Sequence, residues 1–179
     1  IIPCATEALA PVDGKIVRYV IAIKTKAKTI KEQINAGVFP GFRGQSQAVK
    51  AGDLLFLSGL MAIDEEGLVA GAAVDPGQPW FASSPAVQAE TIIGNAEKLC
   101  QAAGTSLSNA VRIQQFHTDI SEFYEVHRAW QKHLPDTALP FSAVHVPHEL
   151  PVPGATVLMV IWVYAPYTKR RLTFFVSFR

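Results

Sequence analysis

The sequence is short of cysteine, of charge and of long apolar runs. Only Cys4 and Cys100 occur among the 179 residues, far apart and in no metal-type spacing. Neither a disulfide framework nor a zinc cluster is expected, and the expected setting is reducing and cytoplasmic. Charged residues make up 17%, with 16 basic against 15 acidic, for a formal charge of +1. Such a balance builds no strong field for nucleic acid or for an anionic membrane. The longest apolar stretch, Val157–Ala165, has nine residues, against the roughly 20 that a membrane-spanning helix needs. Residues 1–10 carry neither a basic start nor a long apolar core, so no secretory leader is expected in them.

What is present is apolar substance. At 49% apolar residues the chain has enough to bury a core, which sets it apart from disordered sequences. With so few charges at this size, some apolar surface is expected to lie between subunits. Residues 15–23 (KIVRYVIAI) read as a strand rich in β-branched residues, followed by a basic linker over 24–28 and a second strand over 29–35. Residues 38–47 have the Pro and Gly of a loop, and LLFLSG (54–59) reads as a buried strand ended by Gly59. Residues 64–84 read as loop with at most one short strand.

A helix follows, with Ser84 as N-cap, Pro85 at its first position and Gly104 just past its end. Its apolar stripe is Ile92, Ala96, Leu99 and Ala103, beside which Cys100 reads as a packing thiol. AVRIQQFHTD (110–119) is a strand. Ser121 is expected to cap a second helix to about Leu134, closed by Pro135, with Phe123, Val126, Trp130 and Leu134 inward. FSAVHV (141–146) and ATVLMVIWVYA (155–165) complete the set, the latter apolar on both faces, as in a doubly covered strand. The order predicts an α/β (α+β sandwich) domain with helices on one face.

Residues 11–21 match residues 151–161 at an offset of 140: Pro11/Pro151, Val12/Val152, Gly14/Gly154, Val17/Val157, Val20/Val160 and Ile21/Ile161 are identical. The expected organisation is an N-terminal extension over 1–28, read as the last strand of an upstream repeat, a domain over 29–165 and a tail over 166–179.

Four stretches, GQSQAVKAGDLLFLSG, LCQAAGTSLSNAV, FHTDISEFYEVHRAW and LPFSAVHVPHELPVPGATV, resemble the Rid family (YjgF, also called L-PSP-like) in order and spacing. The resemblance covers about three quarters of the chain. It implies a chorismate-mutase-like mixed sheet with two helices on one face, in a homotrimer with small-molecule clefts between subunits. It also implies hydrolysis of reactive enamines or imines to a carbonyl compound and ammonia. In family members with that activity an arginine opens the strand corresponding to FSAVHV and forks onto the substrate carboxylate.

Here that position holds Phe141. A phenyl ring makes no such bonds, and each hydrogen bond lost to a charged group costs about 1.5–3 kcal/mol. Other positions depart as well. Ala143 stands where a cysteine is common, Gln45 where an aromatic residue lines the cleft mouth, and His127 where asparagine is frequent on the second helix. Leu158 and Val160 stand against acidic positions of the last strand, whereas Ser58, Gly59, Gln47 and Ser142 are kept. The resemblance therefore assigns substrate contact to Gln45, Ser58, Gly59, Phe141, Ser142 and Ala143. His127, four after Phe123 and three before Trp130 on the inward edge of the second helix, reads either as a hydrogen-bonded histidine at a domain or subunit boundary or as a proton donor or acceptor in the cleft.

All five histidines fall between 117 and 148. His145 and His148 form H-x-x-H, but on a strand that spacing points the two rings to opposite faces, so no metal site is expected from them. His133 lies where it would offset a helix dipole. The tail YTKRRLTFFVSFR reads as a solvated end before a strand, in preference to an RNA-binding arm. No phosphate-binding glycine loop implies a cofactor. Three functions stand: an imine or enamine hydrolase for a less anionic substrate, a non-catalytic metabolite-binding or structural member, and an endoribonuclease or RNA-binding protein.

Overall fold

A computed structural model of the chain describes residues 4–7, 19–22, 31–38, 44–73, 77 and 84–167. The basic linker at 24–28 and the tail from 168 onward lie outside the described residues, as do the middle of the 38–47 loop and much of 74–83. Strands β1 (Cys4–Glu7) and β2 (Tyr19–Ala22) form an antiparallel pair. The remaining six strands make one sheet: β3 (Lys31–Ile34), β4 (Ala48–Ala51), β5 (Leu54–Leu57), β6 (Ala110–His117), β7 (Phe141–His145) and β8 (Val157–Tyr164). Their order is β3-β4-β5-β8-β6-β7. Every pairing is antiparallel except β6 with β7, which makes the sheet mixed.

Helices α1 (Ser84–Ala102) and α2 (Phe123–His133) pack on one face of this sheet and against each other. The strand alternation explains the layering. Val157, Met159, Ile161 and Val163 of β8 are fully buried beneath α1, and Leu158, Val160 and Trp162 between them face the other way, half-buried. The expected stripe of α1 is the core face: Ile92, Ala96 and Leu99 are fully buried with Ala89 and Cys100, and Ala103 follows at the helix end. Each large aliphatic side chain so buried contributes about 1.5–3 kcal/mol.

Gly104 stops α1 in the left-handed region at φ +74. Its N–H donates to Gln101 O at 3.0 Å, and Thr105 N–H reaches back to Cys100 O at 2.9 Å, the paired bonds of a Schellman end. Lys50, buried on β4, donates from Nζ to Ala103 O at 3.2 Å and lies 4.4 Å from the Tyr167 ring centroid. A cation thus sits on the negative end of α1.

Three local expectations need correction. Strand β4 is absent from the sequence reading, because Ala48–Ala51 offers a single β-branched residue; its place comes from pairing with β3 and β5 on either side. Strand β1 was likewise not expected. Ser121 does not cap the second helix. Asp119 caps a 3-10 turn over Ile120–Glu122, accepting from Ser121 N–H at 2.9 Å and Ser121 Oγ at 2.7 Å, and α2 begins at Phe123. Leu134 lies just beyond the end of α2, its N–H bonded to Trp130 O.

Candidate functional site

His127 lies on α2, one turn after Phe123 and one before Trp130, and these spacings bring all three over the start of β7. The His127 ring stacks on Phe123 with centroids 5.8 Å apart and meets Phe141 edge-on at 5.5 Å. Phe141 in turn packs edge-on to Trp130 at 5.4 Å. It pairs in register with Ile113, whose side chain is buried under the helices, so Phe141 shares that face. A concavity of about 270 Å³ opens beside this cluster, walled by His127, Trp130, Leu134, Pro135, Leu139 and Phe141 among others. Gln131 and Thr137 join the aromatic and aliphatic groups of its lining, and Nδ1 of His127 and Nε1 of Trp130 are buried without a hydrogen-bond partner. Helical periodicity alone puts Trp130 in the core; its spacing from His127 is the signal for its second role as a wall.

Ser142 and Ala143 follow on β7, both exposed. Ser142 pairs with Gln114 on the face away from the helices, and Ala143 pairs with buried Gln115. Gln45, Ser58 and Gly59 form a separate group. Ser58 donates from Oγ to Ser46 O, and its N–H donates to Gln47 O at 3.1 Å. Gln47 Oε1 accepts from Ala36 N–H at 2.7 Å, which fixes the loop, and Gln45 Oε1 is buried without a partner. A side chain at Gly59 would come to 3.6 Å from Leu158, an ordinary contact.

The two groups do not meet within one protomer. Ser58 follows β5, and β8 and β6 lie between β5 and β7. Three inter-strand steps are about 14 Å. One half of the expected site is therefore at the β7 edge and the other at the end of β5.

His117, at the end of β6, is fully buried; its Nε2 lies 3.1 Å from Gln115 Oε1, and its ring meets Phe123 edge-on. Burial holds it less basic than an ordinary imidazole. Burial raises the Glu122 carboxyl, against the lowering effect of the Thr156 hydroxyl. Burial, with Glu97 nearby, pushes the Cys100 thiol up to about 12. A thiolate nucleophile at neutral pH is thereby ruled out at that position.

A second concavity, of about 400 Å³, is lined by Thr118, His145, His148, Glu149 and Thr156 among others. The expected opposition of His145 and His148 is thus overturned. Strand β7 ends at His145, so the alternation that would oppose the two residues does not reach His148, and both line this concavity. His145 Nε2 lies 3.1 Å from Thr118 O. Among the described residues no three His, Cys, Asp or Glu side chains gather so as to hold a metal ion. Among them too, no helix is long and apolar enough to cross a membrane.

A mixed six-stranded sheet carrying two helices on one face defines an α+β protein of the chorismate-mutase-like class. Residues 42–165 match the family model described as Endoribonuclease L-PSP, and the chain belongs to that family, the Rid or YjgF group. It is 38% identical over 101 residues to the RutC family protein y4sK of Sinorhizobium fredii, covering 55% of this chain and 71% of that one. To the mitochondrial protein mmf2 of Schizosaccharomyces pombe it is 31% identical over 91 residues, covering 51% of this chain and 63% of that relative's length. The crystal structure of RidA from the Antarctic bacterium Psychrobacter sp. PAMC 21119 superposes with a TM-score of 0.60 at 29% identity, covering 74% of this chain and 98% of that one.

Proposed function

We propose that the chain assembles as a homotrimer whose inter-subunit clefts hydrolyse a small imine or enamine of low anionic character to a carbonyl compound and ammonia. The observation that carries the reading is the edge-on contact of His127 with Phe141 beside this concavity, on the family's framework. The separation of the Ser58 group from the β7 edge supports a cleft completed by a neighbouring subunit, which brings its own Gln45, Ser58 and Gly59 to Phe141, Ser142 and Ala143.

In this scheme water forms a C–O bond to the imine carbon as the π electrons move onto nitrogen. The water oxygen gives up a proton and nitrogen takes one, leaving an amino alcohol. The hydroxyl then gives up its proton as nitrogen takes a second, the C–N bond breaks, and ammonia leaves as the carbonyl forms. An enamine is first protonated at carbon to the imine. His127 moves the protons, and Phe141 packs the apolar part of the substrate. No arginine at that position pairs with a carboxylate, which favours neutral substrates over 2-aminoacrylate. No cofactor takes part.

Ammonia release from imines generated in situ, from charged and apolar amino acids, tests this. The parent is expected to act on the apolar imines and to lose about 100-fold in the His127→Ala variant, the usual loss of a general acid–base. A silent parent beside an active Phe141→Arg variant overturns the hydrolase reading and leaves a metabolite-binding protein. That second reading is favoured by the same aromatic wall, which binds without needing to react.

A further inference from the structure

We propose that residues 4–22 are the counterpart of the β7–β8 segment in a second copy of this fold, with β1 and β2 its closing strands. The inference lies beyond the small-molecule cleft and does not depend on it. It starts from the six identities between residues 11–21 and 151–161, to which the structure gives physical meaning. Gly154 stands at φ +79, and a Cβ there would lie 3.2 Å from Leu68 Cδ2, so the turn into β8 calls for glycine. The matched position is Gly14. In both places the run then enters a strand, Tyr19–Ala22 falling on Met159–Trp162 at the same offset.

Composition points the same way. Strand β8 is central, with β5 on one side and β6 on the other, and its residues from Val157 to Val163 are alternately buried and half-buried. That position explains why it is apolar throughout. Val20 and Ile21 repeat Val160 and Ile161. Strand β2 thus has the sequence of a central strand, yet among the described residues its partner is β1 alone. A lone pair of strands is marginal in water.

Strand direction agrees as well. Strand β7 runs parallel to β6, and β6 antiparallel to β8, so β7 and β8 oppose each other as β1 and β2 do. The difference is the strand between them: β6 separates β7 from β8, and no strand separates β1 from β2. The occupant that fits is the β3-to-α2 part of a second copy, inserting its own β6 equivalent.

The offset makes the test direct, because Ile1 corresponds to Phe141. Residues 31–140 are fused ahead of Ile1 of the full chain, and backbone hydrogen exchange is followed by mass spectrometry. The amides of Tyr19–Ala22 are expected to slow by about 100-fold relative to the parent chain, toward those of Met159–Trp162. A fusion with residues 17–22 scrambled should not show the slowing. Unchanged exchange at Tyr19–Ala22, with Met159–Trp162 still protected, overturns the proposal. As a second arm, deleting residues 1–28 from the parent should move its thermal midpoint by less than about 3 °C. A larger fall assigns β1 and β2 to the present domain and overturns it too.

Discussion

His117 shows how a single buried side chain ties stability to pH. Its ring is enclosed between Gln115 and Phe123, with Nδ1 unpartnered, and burial depresses its basicity. The unfolded chain takes up a proton at this residue near pH 6.5. The folded chain does so at lower pH. Between the two values the unfolded state holds more protons, so the contribution of His117 is complete above about 6.5 and is lost as pH falls through the folded value. Glu122 acts in the opposite sense, since its raised carboxyl favours the folded state toward low pH and loses that effect as pH rises through the folded value. Comparing the parent with His117→Gln cancels the Glu122 effect. Urea midpoints at pH 7.5 and 5.5 should fall further for the parent than for the variant. Equal falls would show that His117 is not the source.

At the scale of elements, one side chain fastens α1 to the turn before β8. Gln88 is fully buried; its Nε2 donates to Gly154 O at 3.1 Å and Ala72 O at 3.4 Å, and its Oε1 accepts from Thr156 N–H at 2.9 Å. Replacing it by alanine removes these three bonds between α1 and buried or partly buried backbone, at about 0.5–1.5 kcal/mol each. The Gln88→Ala variant is expected to lose about 2–4 kcal/mol in urea unfolding. A loss below about 1 kcal/mol would mean that water takes over these bonds. Such a fastening is not legible in the sequence, where Gln88 interrupts an otherwise apolar stripe. Strand β8 and the stripe of α1 were legible because burial follows their periods of two and 3.6 residues. Strand β4 was not, since Lys50 is buried by its bond to the end of α1, a contact with no local signature. The candidate site divides in the same way. The approach of His127 to Phe141 follows from helix spacing and family position. The meeting of His145 and His148 in one concavity depends on where β7 stops, which alternation alone does not reveal.

At the scale of the molecule, the sheet face turned away from the helices carries the argument for assembly. Phe56 and Trp162 meet edge-on at 5.4 Å, the Arg112 guanidinium lies 4.8 Å from the Trp162 centroid, and Val160 continues the surface, all half-buried, while Leu158 beside them packs against Met61, Ile63 and Ala155. A strand as apolar as β8 is ordinary where both sheet faces are covered, and the helices cover only one. Single exposed apolar residues need no explanation, but a contiguous set on one face marks an interaction surface. Light scattering of the parent should therefore give about three times its 19.4 kDa mass. Val160 lies in the middle of this face, level with Gln114 on β6. A Val160→Glu variant should fall to the monomer mass while keeping its far-ultraviolet spectrum, since a carboxylate is tolerated at an open face and costs heavily at a closed one. A parent that scatters as a monomer sinks the trimer. A variant that stays trimeric removes this face from the interface, and with it the reason for expecting a neighbour's Ser58 beside Phe141.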